Sequence, residues 1–213
     1  MSISDNLLRF IRDPENQALI ERNKFEELYE QALHCWHYSM LTFPIGELTE
    51  LLYTSDVDPL PYMKEIPDRF LWDGNITKIE IPNNIEAIGY SAFRECEHLT
   101  GVAIPDGVKS IGESAFRDCT NLTSVVIGNG VIEIGEFAFY GCPKLISVTI
   151  PNSCTTIEGE AFAGCENLKD VYYNSTQEQW NRIKGFSNII ADIKIWGDDM
   201  HITIHCTDGD LII

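Results

Sequence analysis

The 213-residue chain carries 15 Lys and Arg against 33 Asp and Glu, a formal net charge of −18, which argues against direct nucleic-acid binding through a broad basic face. With 44% apolar residues it can bury a core, so it reads as one large or two small globular domains, not as a disordered chain. No stretch approaches the ~20 apolar residues of a membrane span. The opening residues, charged at Asp5, Arg9, Arg12 and Asp13, lack the apolar centre of a signal peptide. A cytoplasmic protein with reduced thiols is expected.

Residues 1–75 are expected to form a helical domain. Asp13 before Pro14 has the pattern of an N-cap followed by proline at the first helical position. Phe25, Leu28, Tyr29, Ala32, Leu33 and Trp36 then recur at helical spacing and make one apolar stripe. Pro44 and Gly46 end that helix, residues 47–53 read as another, and residues 56–61 as a loop. The densest acid also lies here, at Asp13, Glu15, Glu21, Glu26, Glu27 and Glu30.

From residue 76 the chain repeats itself. A shift of 23 aligns Phe93, Phe116, Phe139 and Phe162, each preceded by alanine, and likewise Cys96, Cys119, Cys142 and Cys165. The same shift aligns Leu99, Leu122, Leu145 and Leu168; Ile88, Ile111, Ile134 and Ile157; and Val102, Val125, Val148 and Val171. A fixed period of this length implies one supersecondary unit per turn of a solenoid, each burying its apolar face against its neighbours. Within a unit, Val102 and Ile104 alternate as a short strand, Pro105-Asp106-Gly107 reads as a tight turn, and Val108 with Ile111 as a second extended piece. The Ser-Ala-Phe segment that follows is expected to be one helical or 3₁₀ turn on the outer side.

These residues resemble the BspA-type leucine-rich repeats, whose units run through an Ile-Pro turn, an apolar pair, then Ala-Phe, Cys and Leu. The resemblance is strong over residues 76–175 and continues through VYYNSTQEQWNRI and ITIHCTDGD, which look like that family's closing segment. It implies an α/β solenoid used for protein contact, with no catalytic residues to carry over. Residues 176–213 are then a C-terminal cap: Ser175 and Glu178 have capping-box spacing for a helix carrying Trp180 and Ile183, and Ile193, Ile195, Ile202, Ile204 and Cys206 alternate like closing strands.

The chemistry-bearing side chains have ordinary readings. The ladder cysteines lack the paired spacing of a zinc site and suit a buried interior, as does Cys154, which takes the place of Ile85, Val108 and Val131. His34 and His37 sit one helical turn apart without an evident third ligand. His201 and His205, four apart on a strand, lie ~13 Å from each other and cannot share an ion. Asp198 and Asp199 read as a solvated turn. No nucleophile motif or phosphate-cradling glycine loop occurs, so neither enzyme activity nor a cofactor is expected.

If Val102 and Ile104 point inward, their neighbours face out. One outward column is Lys78, Gly101, Ser124, Ser147 and Asp170; the next is Glu80, Ala103, Val126, Thr149 and Tyr172. This shallow face and the acidic run Glu26, Glu27 and Glu30 are the candidate binding surfaces. The expected function is a non-catalytic protein-interaction module whose partner is another protein. The alternative is an intracellular acidic inhibitor that mimics nucleic acid and occupies a basic nucleic-acid-binding protein.

Overall fold

The structure, a computed structural model, describes residues 5–37, 48, 60–185 and 201–212. Three helices open it: α1 (Asp5–Ile11), α2 (Pro14–Glu21) and α3 (Phe25–His37). Asp13 caps α2 as the sequence suggests, its carboxylate accepting the Glu15 N–H at 2.9 Å. Along α3 the residues Phe25, Leu28, Tyr29 and Ala32 are buried. The Tyr29 ring meets Phe70 at 5.2 Å, so this stripe closes the open end of the first coil, where apolar residues would otherwise meet water. Residues 47 and 49–53 and the side chains of Leu33, His34, Trp36 and His37 lie outside the described residues, while Leu48 is buried.

Two parallel sheets wind from residue 65 onward. Two-residue strands β1 (Glu65–Ile66), β2 (Ala87–Ile88), β4 (Ser110–Ile111), β6 (Glu133–Ile134) and β8 (Thr156–Ile157) stack in that order. Four-residue strands form the other sheet: β3 (Gly101–Ile104), β5 (Ser124–Ile127), β7 (Ser147–Ile150) and β9 (Asp170–Tyr173). β10 (Thr203–Cys206) continues it in parallel, and β11 (Gly209–Ile212) folds back antiparallel on β10.

The 23-residue period fixes the register. Val102 pairs with Val125, Val125 with Val148, and Val148 with Val171, so every coil presents the same alternate residues inward. Inside, the phenylalanines make a continuous stack: Phe93 to Phe116 at 5.1 Å, Phe116 to Phe139 at 5.3 Å, and Phe139 to Phe162 at 5.3 Å. The cysteines beside them are buried, each thiol donating to a main-chain carbonyl of the preceding coil, as Cys119 does to Phe93 at 3.2 Å and Cys142 to Phe116 at 3.3 Å. Burial is the largest influence holding the Cys119 thiol well above its ordinary range.

Two local expectations are corrected. The Ser-Ala-Phe segment is not helical. Ser91, Ser114, Phe137 and Glu160 all have positive φ, as do Glu95, Asp118, Gly141 and Gly164 four residues on. Alternate amides therefore point at the next coil: Ser91, Phe93 and Glu95 donate to Glu113, Ala115 and Arg117 at 2.9, 2.7 and 2.8 Å. A neighbour's carbonyls lie within reach, so alternate donors are satisfied between coils, while Ala92 and Arg94 donate within the turn to Gly89 and Ser91 at 3.4 and 3.2 Å. The closing helix is one turn, Gln177–Trp180, capped by Thr176 and not by Ser175. Thr176 is the last extended residue, and its hydroxyl accepts the Gln179 N–H at 3.3 Å. Glu178 faces outward and pairs with Arg182 at 2.6 Å.

Trp180 and Ile183 are buried, and Trp180 packs edge-on to Tyr173 at 5.2 Å, sealing the last coil. Ile202 and Ile204 are buried and Cys206 is half-buried. Ile193, Ile195, Asp198 and Asp199 lie outside the described residues.

Candidate functional site

Alternation in the four-residue strands sorts their side chains without ambiguity. Val102, Ile104, Val125, Ile127, Val148 and Ile150 are all buried. Facing out, Gly101, Ser124, Ser147, Asp170 and Thr203 form one row, and Ala103, Val126, Thr149, Tyr172 and His205 the next. Val126 is 52% exposed and Tyr172 45%. Lys78 and Glu80 are exposed but stand outside the sheet, because their segment forms no strand; the Thr100 N–H reaches back to the Thr77 carbonyl at 3.3 Å.

The row ends in a cluster that spacing along the chain did not reveal. His205 Nε2 lies 2.9 Å from Asp170 Oδ1, and Nδ1 lies 3.1 Å from Asp210 Oδ1. Both ring nitrogens meet carboxylates, an arrangement that suits the doubly protonated ring. The Asp170 hydrogen bond is the largest influence raising the His205 pKa; desolvation opposes it and Asp210 adds to it. Asp170 and Asp210 come from strands on either side of β10.

The acidic run on α3 is divided in its work. Glu26 Oε1 accepts the main-chain N–H of Lys64 at 2.8 Å, joining the helix to the start of the first coil. Glu27 pairs with Lys24 within its own turn, and Glu30 is exposed.

Cationic and aromatic side chains also stack along the turns. Arg94 lies 5.3 Å from the Trp72 ring and Arg117 4.8 Å from Tyr140. Their charges are met locally, by Glu95 at 3.0 Å and Asp118 at 3.2 Å.

Among the described residues no three or more His, Cys, Asp or Glu gather in a way that could hold a metal ion. Among the same residues no helix is long and apolar enough to cross a membrane.

The model of the BspA type leucine rich repeat region matches residues 64–189 in six copies, starting with the coil that α3 covers. The chain belongs to this family. Its BspA-type repeats are similar to those of a leucine rich cell surface protein from Faecalibacterium prausnitzii, at 31% identity over 52% of this chain and 35% of that one, with a TM-score of 0.47. A leucine-rich repeat protein from Bacteroides ovatus is 25% identical over 54% of this chain and 38% of its own, with a TM-score of 0.40. One from T. pallidum is 26% identical over 51% and 62%, with a TM-score of 0.36. The chain thus spans less than two thirds of the length of each of these relatives. No curated protein matches it. A BspA-type solenoid is consistent with a protein-interaction module, since its residues go into a repeated core and an extended surface.

Proposed function

We propose that the chain is a non-catalytic interaction module that receives another protein on the outer face of its four-residue strands. The docking surface runs from Lys78 and Glu80 through Ala103, Ser124, Val126, Ser147 and Thr149 to Asp170 and Tyr172. The observation that supports this most is the exposure of Val126 and Tyr172, 52% and 45%, in one row of a rigid sheet whose alternate residues are buried. Small neighbours at Ala103, Ser124 and Ser147 let a partner approach the backbone closely. Tyr172 supplies the aromatic anchor typical of a binding hot spot.

The partner in this reading is a largely basic protein, drawn by the net charge of −18. Glu27 and Glu30 on α3 add specificity. Helices α1 to α3 act as a cap, the coils from residue 64 to 175 as the interaction solenoid and residues 176–213 as the closing segment. A cytoplasmic setting suits thiols that are buried and bonded to main-chain carbonyls, as those of Cys119 and Cys142 are.

The test is affinity capture from the native host with the full chain at low and high salt. Val126→Asp with Tyr172→Ala should lose the specific partner while circular dichroism stays unchanged. Glu27→Gln with Glu30→Gln should weaken capture chiefly at low salt. A partner retained in full by both double variants would overturn the reading.

A further inference from the structure

The solenoid contains its own control for what a structural position requires, because each surface column recurs every 23 residues. One column holds Thr77, Thr100 and Thr123, then departs to Ile146 and Lys169. The threonines form a ladder: the Thr123 hydroxyl donates to the Thr100 carbonyl at 2.8 Å, and that of Thr100 to Thr77 at 3.3 Å. The adjoining column carries Asn121 and Asn167, whose side-chain amides donate to the carbonyls of Glu97 and Pro143 at 2.6 and 2.7 Å. Between those asparagines stands Lys144.

All three departures meet at one place. Thr123, Lys144, Ile146, Asn167 and Lys169 line a surface hollow of about 300 Å³. Ile146 is 51% exposed where earlier coils keep a threonine. Lys144 and Lys169 form no ion pair among the described residues, in a chain with 33 acids to 15 bases. The Lys144 ammonium is instead steadied by the neutral amide oxygen of Asn121. The main chain beneath is fixed, with Ile146 N–H bonded to Thr123 and Lys169 N–H to Ile146, both at 3.0 Å.

Coil stacking accounts for neither Ile146 nor Lys169, because the earlier coils bond through threonine at that position, and it does not require a lysine at 144, because Asn121 and Asn167 make the coil-to-coil bond from the same column. An aliphatic floor between two cations is complementary to one chemistry: an aliphatic group beside a carboxylate. We propose that this hollow binds an acidic–aliphatic peptide stretch of the partner protein, a leucine-like side chain over Ile146 with flanking carboxylates on Lys144 and Lys169. The proposal rests on the interaction reading and deepens it. The partner, basic over most of its surface, carries one acidic stretch that sets its register on the solenoid.

The test uses the full chain labelled at isoleucine δ1 methyls, titrated with acetyl-Leu-Glu-Glu-amide and, in parallel, acetyl-Leu-Lys-Lys-amide. The Ile146 methyl should shift saturably with the acidic peptide and not with the basic one. Lys144→Asn with Lys169→Thr, which restores residues that other coils carry and so keeps the fold, should weaken the acidic peptide roughly tenfold. Ile146→Thr should weaken it too, read at the Thr123 and Asn167 amides. Equal response to both peptides, no response to the acidic one, or full binding by the lysine-free variant would overturn the proposal. Partner capture that depends on Val126 and Tyr172 but not on Lys144 and Lys169 would sink the hollow alone and leave the interaction reading standing.

Discussion

The His205 imidazole lies face to face with the Tyr172 ring, 4.7 Å between centroids and 17° between planes. With Asp170 and Asp210 holding its two nitrogens, the ring ties the closing hairpin β10–β11 to the last full coil. The Asp170 hydrogen bond leads in raising its pKa above the ordinary value of ~6.5. A raised folded pKa means that its contribution to stability is complete below the unfolded value and disappears as pH rises through the folded one. Thermal melts should therefore show a loss of stability with rising pH above ~6.5 that His205→Asn lacks. An NMR titration of the ring should give a pKa that falls more in Asp170→Asn than in Asp210→Asn. A His205 pKa at or below the reference value would contradict the clamp.

Gly130 and Gly159 predict opposite outcomes for the same substitution. A Cβ on Gly130 would sit 1.8 Å from the Asp106 carbonyl oxygen, a contact between backbones of adjacent coils that no side-chain rotation relieves. Gly130→Ala should cost ~1–3 kcal/mol in urea denaturation. At Gly159 nothing lies within 4 Å, so Gly159→Ala should change stability by no more than ~0.5 kcal/mol. Similar values for the two would mean that the coils give way more easily than their hydrogen bonding implies.

Phe116 is held between Phe93 and Phe139, nearly parallel to both at 17° and 2°. Phe116→Ala leaves a void that flat neighbours on a fixed coil spacing cannot fill, so it should cost ~3–5 kcal/mol. Phe162 ends the run of four stacked rings, with Phe139 as its one stacked neighbour among the described residues. Phe162→Ala should fall at the low end of that range, as chemical denaturation would show.

The core was readable before any coordinates because a period of 23 puts like residues in like places, and the four Phe, four Cys and four Leu columns are all buried. What escaped was geometry that composition does not mark. Positive φ at Ser91, Glu95 and Phe137 carries no glycine signal, so the sequence there reads as a helical or 3₁₀ turn. His205 meets Asp170 across 35 residues, but the phase of Ile204 with Val171 would have set His205 beside Tyr172. The hollow at Ile146 is marked in the sequence only as departures from repeating columns, Lys144 among asparagines and Ile146 and Lys169 after three threonines.

Glu26 provides the last prediction, because it is the acid of the α3 run that bonds to the start of the first coil. Its carboxylate accepts the Lys64 main-chain N–H at 2.8 Å, and that amide begins the segment leading into β1, while the Lys64 ammonium is engaged by Glu86 at 3.1 Å. Glu26→Ala should remove the acceptor and speed hydrogen exchange at the Lys64 amide by roughly fivefold, the effect of ~1 kcal/mol for an exposed hydrogen bond to a charged group. Glu26→Gln keeps an acceptor oxygen and should lose less. Glu30→Ala, one helical turn further along the exposed side of α3, should leave that amide unchanged. Exchange at Lys64 that responds equally to Glu26 and Glu30 would mean that α3 is joined to the solenoid by bulk charge and not by this bond. Glu26 would then belong with Glu27 and Glu30 as a residue free to meet a partner.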